Sequence, residues 1–264
     1  MLAKETRLLE LLSGYGAIAV AYSGGVDSSY LSDVAHEALG RNARILLADS
    51  PSVPRSEVAE AADLAHRRGW NFEIIHTDEF ENEAYLRNDG TRCYHCRSEL
   101  FAKMGEYARK SGIRIMAYGE ITDDLADKTR LGAKAAKEYS VVAPLVQAGL
   151  SKAEIRTLSE RRNLPTHDKP SFACLSSRFP VGTRVNVEDL RKVELAEEVL
   201  KRLGFSQYRA RHHGDTCRVE IDPKDFAKLI EPGVRESLVR EITAAGYRYV
   251  TLDLAGYRTG STAR

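Results

Sequence analysis

The first half of the chain alternates short apolar runs with stretches of helical spacing. Ala17 to Tyr22 (AIAVAY), Arg44 to Ala48, Phe72 to His76 and Ile113 to Tyr118 are nearly continuous in apolar residues and predict buried strands. Between them, Ser28–Leu39, Ser56–Arg68 and Glu99–Lys110 set Ala, Leu and Val at helical intervals and predict amphipathic helices. Pro54 suits the first turn of the second of these. Strands alternating with helices predict parallel βαβ units, an α/β fold with helices on both faces of one sheet. Lys152–Arg162 predicts a further helix, followed by a loop, Leu164–Pro170, that contains Pro165 and Pro170. Past Arg184 the texture changes. Val187–Leu203 predicts a charged amphipathic helix, and Tyr208–His213 and Thr216–Ile221 predict two strands joined at Gly214-Asp215, a hairpin signal. A helix over Val234–Ala245 and a strand over Tyr249–Leu254 close the chain. The pattern therefore predicts a large α/β domain over residues 1–185 and a small C-terminal α+β domain over 186–264.

Composition narrows the partners. The chain has 264 residues and a formal net charge of +1, from 39 basic and 38 acidic side chains. That balance argues against a broad polycationic surface and nonspecific nucleic-acid binding, while leaving room for local phosphate sites. No run approaches a membrane span. Met1 is followed at once by Lys4, Glu5 and Arg7 without the apolar stretch of a signal peptide, so the expected location is cytoplasmic. In a reducing compartment Cys93, Cys96, Cys174 and Cys217 are expected to be thiols, metal ligands or catalytic groups, not disulfides.

The strongest chemical signal is Ser23-Gly24-Gly25-Val26-Asp27-Ser28-Ser29, which ends a strand and opens a helix. Two glycines let the backbone bend tightly and bring its N–H groups close to phosphate oxygens. The helix N-terminus adds unpaired donors and the positive dipole end, and Ser23 and Ser28 add hydroxyls. Asp27 is placed to orient the loop or help hold Mg2+ against phosphates. The string fits neither the Walker pattern, which ends in Gly-Lys-Ser/Thr, nor GxGxxG. It resembles the PP-loop of the N-type ATP pyrophosphatases, among them NAD, GMP and asparagine synthetases and the tRNA thiolases. That resemblance implies ATP as substrate, cleaved to AMP and pyrophosphate, with Ser23, Gly24, Gly25, Asp27, Ser28 and Ser29 around the phosphates. It also implies that Asp124, in the Gly119–Asp124 segment after the fourth strand, lies near the nucleotide and joins Asp27 on the Mg2+ ion.

A narrower resemblance follows from blocks in order: Arg92-Cys93-Tyr94-His95-Cys96, Asp123-Asp124…Asp127…Arg130-Leu131-Gly132, Gly149-Leu150-Ser151-Lys152, and Asp168-Lys169-Pro170-Ser171-Phe172-Ala173-Cys174-Leu175-Ser176-Ser177-Arg178. Together they resemble the LarE family of ATP-dependent sacrificial sulfur transferases. The resemblance implies adenylation of a carboxylate on a pyridinium dicarboxylate mononucleotide, then attack by a protein cysteine. Cleavage of that cysteine's carbon–sulfur bond leaves a thiocarboxylate, a precursor of the nickel-pincer cofactor, and dehydroalanine in the protein. Cys174, in ACLSSR, is the expected donor. Arg178, Arg184 and Lys169 are close to it in sequence, and cationic neighbours favour a thiolate. Cys93 and Cys96 form a C-x-x-C that is open to a structural, zinc, redox or cluster reading, though a cluster needs more thiolates than ACLSSR supplies. Arg209 and Arg211, on one face of a strand, with Arg178 and Arg184, are the expected contacts to the substrate phosphate. A small-molecule nucleotide substrate and a homo-oligomer are what the family implies. A tRNA thiolase, an ammonia-using amide synthetase and a non-catalytic nucleotide-binding module are the competing readings.

Overall fold

The computed structural model describes residues 1–126, 131–170 and 173–258. In chain order the elements are α1 (Leu2–Tyr15), β1 (Ile18–Tyr22), α2 (Val26–Leu39), β2 (Ala43–Asp49), α3 (Arg55–Arg67), β3 (Asn71–His76), α4 (Glu83–Leu86) and α5 (Arg92–Lys110). They continue as β4 (Ile115–Ala117), α6 (Leu131–Glu138), α7 (Pro144–Gln147), α8 (Lys152–Arg161), α9 (Val187–Arg202), β5 (Tyr208–His213), β6 (Thr216–Ile221), α10 (Phe226–Ile230), α11 (Pro232–Ala244) and β7 (Tyr249–Leu252). No helix among the described residues is long and apolar enough to cross a membrane.

The chain divides into two compact units: residues 1–79 with 93–172, and residues 80–92 with 173–264. The first is the expected α/β unit. Its sheet has the order β3-β2-β1-β4, with parallel pairing throughout. Successive strand residues point to opposite faces, and the core splits accordingly. Ile18, Val20 and Tyr22 join Ile45 and Leu47 in a cluster with α1, α2, α3 and α8. Ala19, Ala21 and Leu46 join Phe101 and Met104 of α5 and Ala135 and Ala136 of α6 on the other side. A strand buried on both faces must be apolar at every position, and this is why β1 reads as an unbroken run. Because β1 pairs with both β2 and β4, the chain first winds outward to β3 and then returns to the far side of β1. The carboxyl ends of β1 and β4 therefore form a topological switch point, the place where open α/β sheets bind ligands.

The second unit holds a three-stranded sheet, β5-β6-β7, antiparallel across the hairpin and parallel between β6 and β7. Its core joins α9 and α11 to Ala210, Cys217, Val219 and Ile221 of the sheet. Leu175, Phe179 and Val185 belong to the same core, so the ACLSSR segment belongs with the C-terminal unit. The boundary expected near 185 lies instead at 172, and residues 80–92 are part of the second unit through Phe80. A loop with polar residues hides its few apolar anchors, and no periodicity marks which core they enter.

The elements expected from the sequence match within two residues, with one exception. The helix α5 begins at Arg92, well before Glu99, so Cys93 and Cys96 stand on its first turns instead of ahead of it. The helix α1 and the short helices α4, α6, α7 and α10 are additions that the hydrophobic pattern does not announce.

Candidate active site

In the α/β unit the Ser23–Gly25 loop joins β1 to α2. Gly24 has φ of 71°, a left-handed conformation that L side chains rarely adopt, and a Cβ there would lie 2.9 Å from the Ala61 Cβ. The Ser28 hydroxyl accepts from the Ser23 N–H at 3.1 Å and donates to the Gly25 carbonyl at 3.2 Å, with the Ser23 hydroxyl 3.0 Å away. Ser28 thus closes the loop from within. Ser29 is completely buried beneath it, whereas Ser23 is exposed and Gly25 half-buried. Gly25, the N-cap of α2, offers no side-chain cap, so the first-turn N–H groups have no side chain capping them. An exposed hydroxyl, a tight glycine bend and an uncapped helix start make a cradle of the kind that accepts a phosphate.

The carboxyl end of β4 meets this cradle through Gly119. A Cβ on Gly119 would lie 3.0 Å from the Ser28 nitrogen and 3.2 Å from its Cα. Glycine is therefore required for close approach here. Beyond it, Thr122 donates from both its N–H and its hydroxyl to the Leu150 carbonyl, at 3.1 and 3.0 Å. Asp123 accepts from the Lys152 N–H at 3.0 Å, and Asp124 accepts from the Ile121 N–H at 3.3 Å. These bonds tie the acidic turn to the start of α8, which Ser151 and Glu154 close with a reciprocal capping box. Lys152, the first residue of α8, sends its ammonium to both oxygens of Asp27, at 2.9 and 2.7 Å. Sequence reasoning did not name Lys152 as a site residue, because 125 residues separate it from Asp27. The GLSK block containing it was the available signal.

For ATP the cradle fits. For Mg2+ the carboxylates that would hold it are Asp27, here paired with Lys152, and Asp124, and among the described residues no group of three or more His, Cys, Asp and Glu could hold a metal ion. Magnesium keeps several waters and binds through one or two carboxylates plus substrate phosphates, so two carboxylates beside a phosphate cradle meet its needs.

In the second unit Cys174 is half-buried and caps a short 3-10 turn, Leu175–Arg178. Arginines hold the carbonyls around it. Arg178 donates to the Ala173 and Cys174 carbonyls at 2.7 and 3.1 Å, Arg92 to that of Ser176 at 2.7 Å, and Arg211 to that of Ser177 at 3.0 Å. The Tyr85 and Ser176 hydroxyls lie 2.7 Å apart, which fixes the turn from below. Arg178 is completely buried, and its Nε and Nη2 bond both oxygens of Glu197 at 2.8 Å. Glu197 also accepts from the Ala210 N–H at 3.1 Å, so α9, β5 and the cysteine turn share one carboxylate. Arg211 is likewise buried and bonds Glu220 at 2.9 Å, while Arg218 bonds the other Glu220 oxygen at 3.1 Å.

The arginines expected to meet a phosphate thus have distinct surroundings. Arg178 and Arg211 direct their donors to the cysteine turn and to buried glutamates. Arg184 is exposed and paired with Glu83, which raises its pKa. Arg209, on the same strand face as Arg211, is buried and donates to the Tyr208 carbonyl and the Tyr257 hydroxyl, with its guanidinium 5.0 Å from the Tyr257 ring centre. Burial first, and then the neighbouring Arg178 charge, pull the Arg209 pKa below its ordinary value. An added anion would relieve that positive potential. Asp127, Arg130, Ser171 and Phe172 of the resembling blocks lie outside the described residues.

The chain is 30% identical over 258 residues to pyridinium-3,5-bisthiocarboxylic acid mononucleotide synthase of Lactiplantibacillus plantarum, covering 97% of this chain and 92% of that protein. The chain belongs to the LarE family. An uncharacterized protein of Synechocystis is 38% identical over 263 residues, 98% of either chain. A glutamine-hydrolyzing GMP synthase of Bartonella bacilliformis is 26% identical over 206 residues, 69% of this chain and 39% of that one. No family model matches the chain. At 97% of the chain, the match to the LarE synthase takes in both compact units, and with them the phosphate cradle and the cysteine turn.

Proposed function

We propose that this protein is an ATP-dependent sulfur transferase acting on a pyridinium dicarboxylate mononucleotide, with Cys174 as the sulfur source. The observation that supports the reading best is the cysteine turn, whose carbonyls are fixed by buried arginines in a LarE chain that also carries a phosphate cradle. In the first step a substrate carboxylate oxygen attacks the α-phosphorus of ATP, pyrophosphate leaves, and an acyl-adenylate forms. Ser23, Gly24, Gly25 and the first turn of α2 bind the departing pyrophosphate, whose charge builds up as the bond breaks. Lys152 leaves Asp27 for the phosphates, and its positive charge stays in the site. Bound Mg2+ would neutralise phosphate charge beside Asp27 and Asp124.

In the second step the Cys174 thiolate attacks the acyl carbon and AMP leaves, giving a thioester. A base then removes the Cys174 α-proton. The Cβ–S bond breaks, its electrons stay on sulfur, and the products are a thiocarboxylate and dehydroalanine. Arg178, Arg92 and Arg211 act as positioning residues that hold the backbone of the Cys174–Ser177 turn, while Arg209 binds the mononucleotide phosphate. The similarity to a GMP synthase, one of the enzymes whose loop SGGVDSS resembles, supports the ATP step.

Incubating the protein with ATP, Mg2+ and the pyridinium dicarboxylate mononucleotide should release AMP and pyrophosphate together with a thiocarboxylate product. ADP and orthophosphate as the products would rule out the PP-loop chemistry. Arg209→Gln should raise KM for the mononucleotide about tenfold to a hundredfold, the loss of a charge-assisted bond of roughly 1.5–3 kcal/mol, with KM for ATP unchanged. An unchanged mononucleotide KM would remove Arg209 from the phosphate site.

A further inference from the structure

The Cys93-Tyr94-His95-Cys96 block has no part in the chemistry above. The residues are the second to fifth of α5, a 19-residue helix that starts at Arg92. Side chains three apart are neighbours on a helix surface. From helix geometry their Cα atoms are about 5 Å apart, inside the range of roughly 4.4–6.8 Å that a disulfide spans. Their Cβ atoms, at about 5–6 Å, must approach to roughly 3.5–4.5 Å. The first turn of a helix is where that is easiest, because its N–H groups have no partner in the preceding turn and tighten readily to 3-10 spacing. Neither cysteine is in a disulfide, and their exposures differ: Cys93 is exposed, while Cys96 is half-buried.

This combination separates the pair from the other thiols. Cys217 is completely buried and its pKa is pushed up to about 12 by that burial, which makes it inert. Cys174 stands in the arginine-held turn. Among the described residues no group of three or more His, Cys, Asp and Glu could hold a metal ion, so a closed four-ligand zinc site has no described completion around the pair. What remains is the chemistry of two adjacent thiols with one open to solvent.

We infer that Cys93 and Cys96 form a redox-active dithiol that exchanges with small disulfides such as glutathione disulfide. Cys93, as thiolate, attacks one sulfur of the disulfide, forming a mixed disulfide and releasing the first thiolate. Cys96 gives up its proton to solvent and attacks the Cys93 sulfur, releasing the second thiolate and closing the Cys93–Cys96 bond. The pair loses two electrons and two protons, and the small disulfide becomes two thiols. Exposure sets the order: the open thiol is the one an incoming disulfide reaches, and the half-buried one resolves it.

Trypsin cuts after Arg92 and Arg97, so the peptide 93–97 carries this pair and no other cysteine. The reduced, full-length protein is equilibrated with graded ratios of glutathione to glutathione disulfide, quenched with iodoacetamide and digested. In the wild type that peptide should convert cooperatively from doubly alkylated to a form lacking two hydrogens, and dithiothreitol should reverse it. Cys96→Ser should accumulate a stable glutathione adduct on Cys93, and Cys93→Ser should form the corresponding adduct on Cys96 at least tenfold more slowly. Full double alkylation at the most oxidising ratio, or a wild type that stops at the mixed disulfide, would overturn the inference. The result is independent of sulfur transfer, because nothing in the assay uses ATP or the mononucleotide.

Discussion

Cys174→Ala should abolish thiocarboxylate formation while leaving ATP-dependent release of pyrophosphate largely intact. The loss should be roughly a thousandfold or more, as when a covalent nucleophile is removed from a working site. Alanine preserves the backbone at the head of the Leu175–Arg178 turn, so the Arg178 bonds to the Ala173 and Cys174 carbonyls survive and the unit folds as before. The phosphate cradle lies in the other unit, with its own core and its own hydrogen bonds. Adenylation therefore persists, and the acyl-adenylate, denied its thiol, turns over only by slow hydrolysis. In the wild type, one turnover should leave the Cys174 peptide lighter by the elements of hydrogen sulfide. Product accumulating well past one equivalent with Cys174 unchanged and no sulfur source added would exclude the sacrificial route. Full transfer by Cys174→Ala would move the sulfur source elsewhere.

What the sequence disclosed and withheld follows from the range over which each signal acts. Strands β1 to β3 and the β5–β6 hairpin are local: an apolar run, or alternation around Gly214-Asp215, is complete within a few residues. The SGGVDSS loop is legible for the same reason, since bend, hydroxyls and helix start are contiguous. The helix α1 escapes because its charged residues Lys4, Glu5 and Arg7 mask Leu8 and Leu12, which are completely buried. The first turns of α5 read as a polar cysteine segment, although helix formation needs no apolar residue at a first turn. Arg178 reads as a phosphate contact because a sequence shows a charge but not its partner. Glu197, which neutralises Arg178, lies on α9 and looks like one more surface glutamate in a charged helix. The Asp27–Lys152 pair has the same origin: the two residues meet only because β1 and β4 are neighbours in the sheet and α8 starts beside them.

Gly119→Ala tests whether that meeting of β4 with the cradle matters for catalysis. The added methyl would lie 3.0 Å from the Ser28 nitrogen and 3.3 Å from the Asp27 carbonyl carbon. Both are backbone atoms of the first turn of α2, which cannot swing aside as a long side chain can. Either the helix start or the Tyr118–Glu120 segment must shift by a few tenths of an ångström. Overpacking of this kind costs about 1–3 kcal/mol of stability. A catalytic cost comes with it, because the same N–H groups that face the new methyl are those proposed to receive the leaving pyrophosphate. A 1 Å misplacement in a preorganised site is worth about a hundredfold in rate, and a shift of a few tenths correspondingly less. ATP consumption by Gly119→Ala should therefore fall about tenfold, with Tm lowered by several degrees. Gly14→Ala is the matched control: it lies near the end of α1 with nothing within 4 Å of its added methyl, and it should leave both rate and Tm near wild type or raise Tm slightly. If Gly119→Ala consumes ATP at the wild-type rate with an unchanged Tm, the first turn of α2 is not the phosphate site, and the pyrophosphate must be held by other groups.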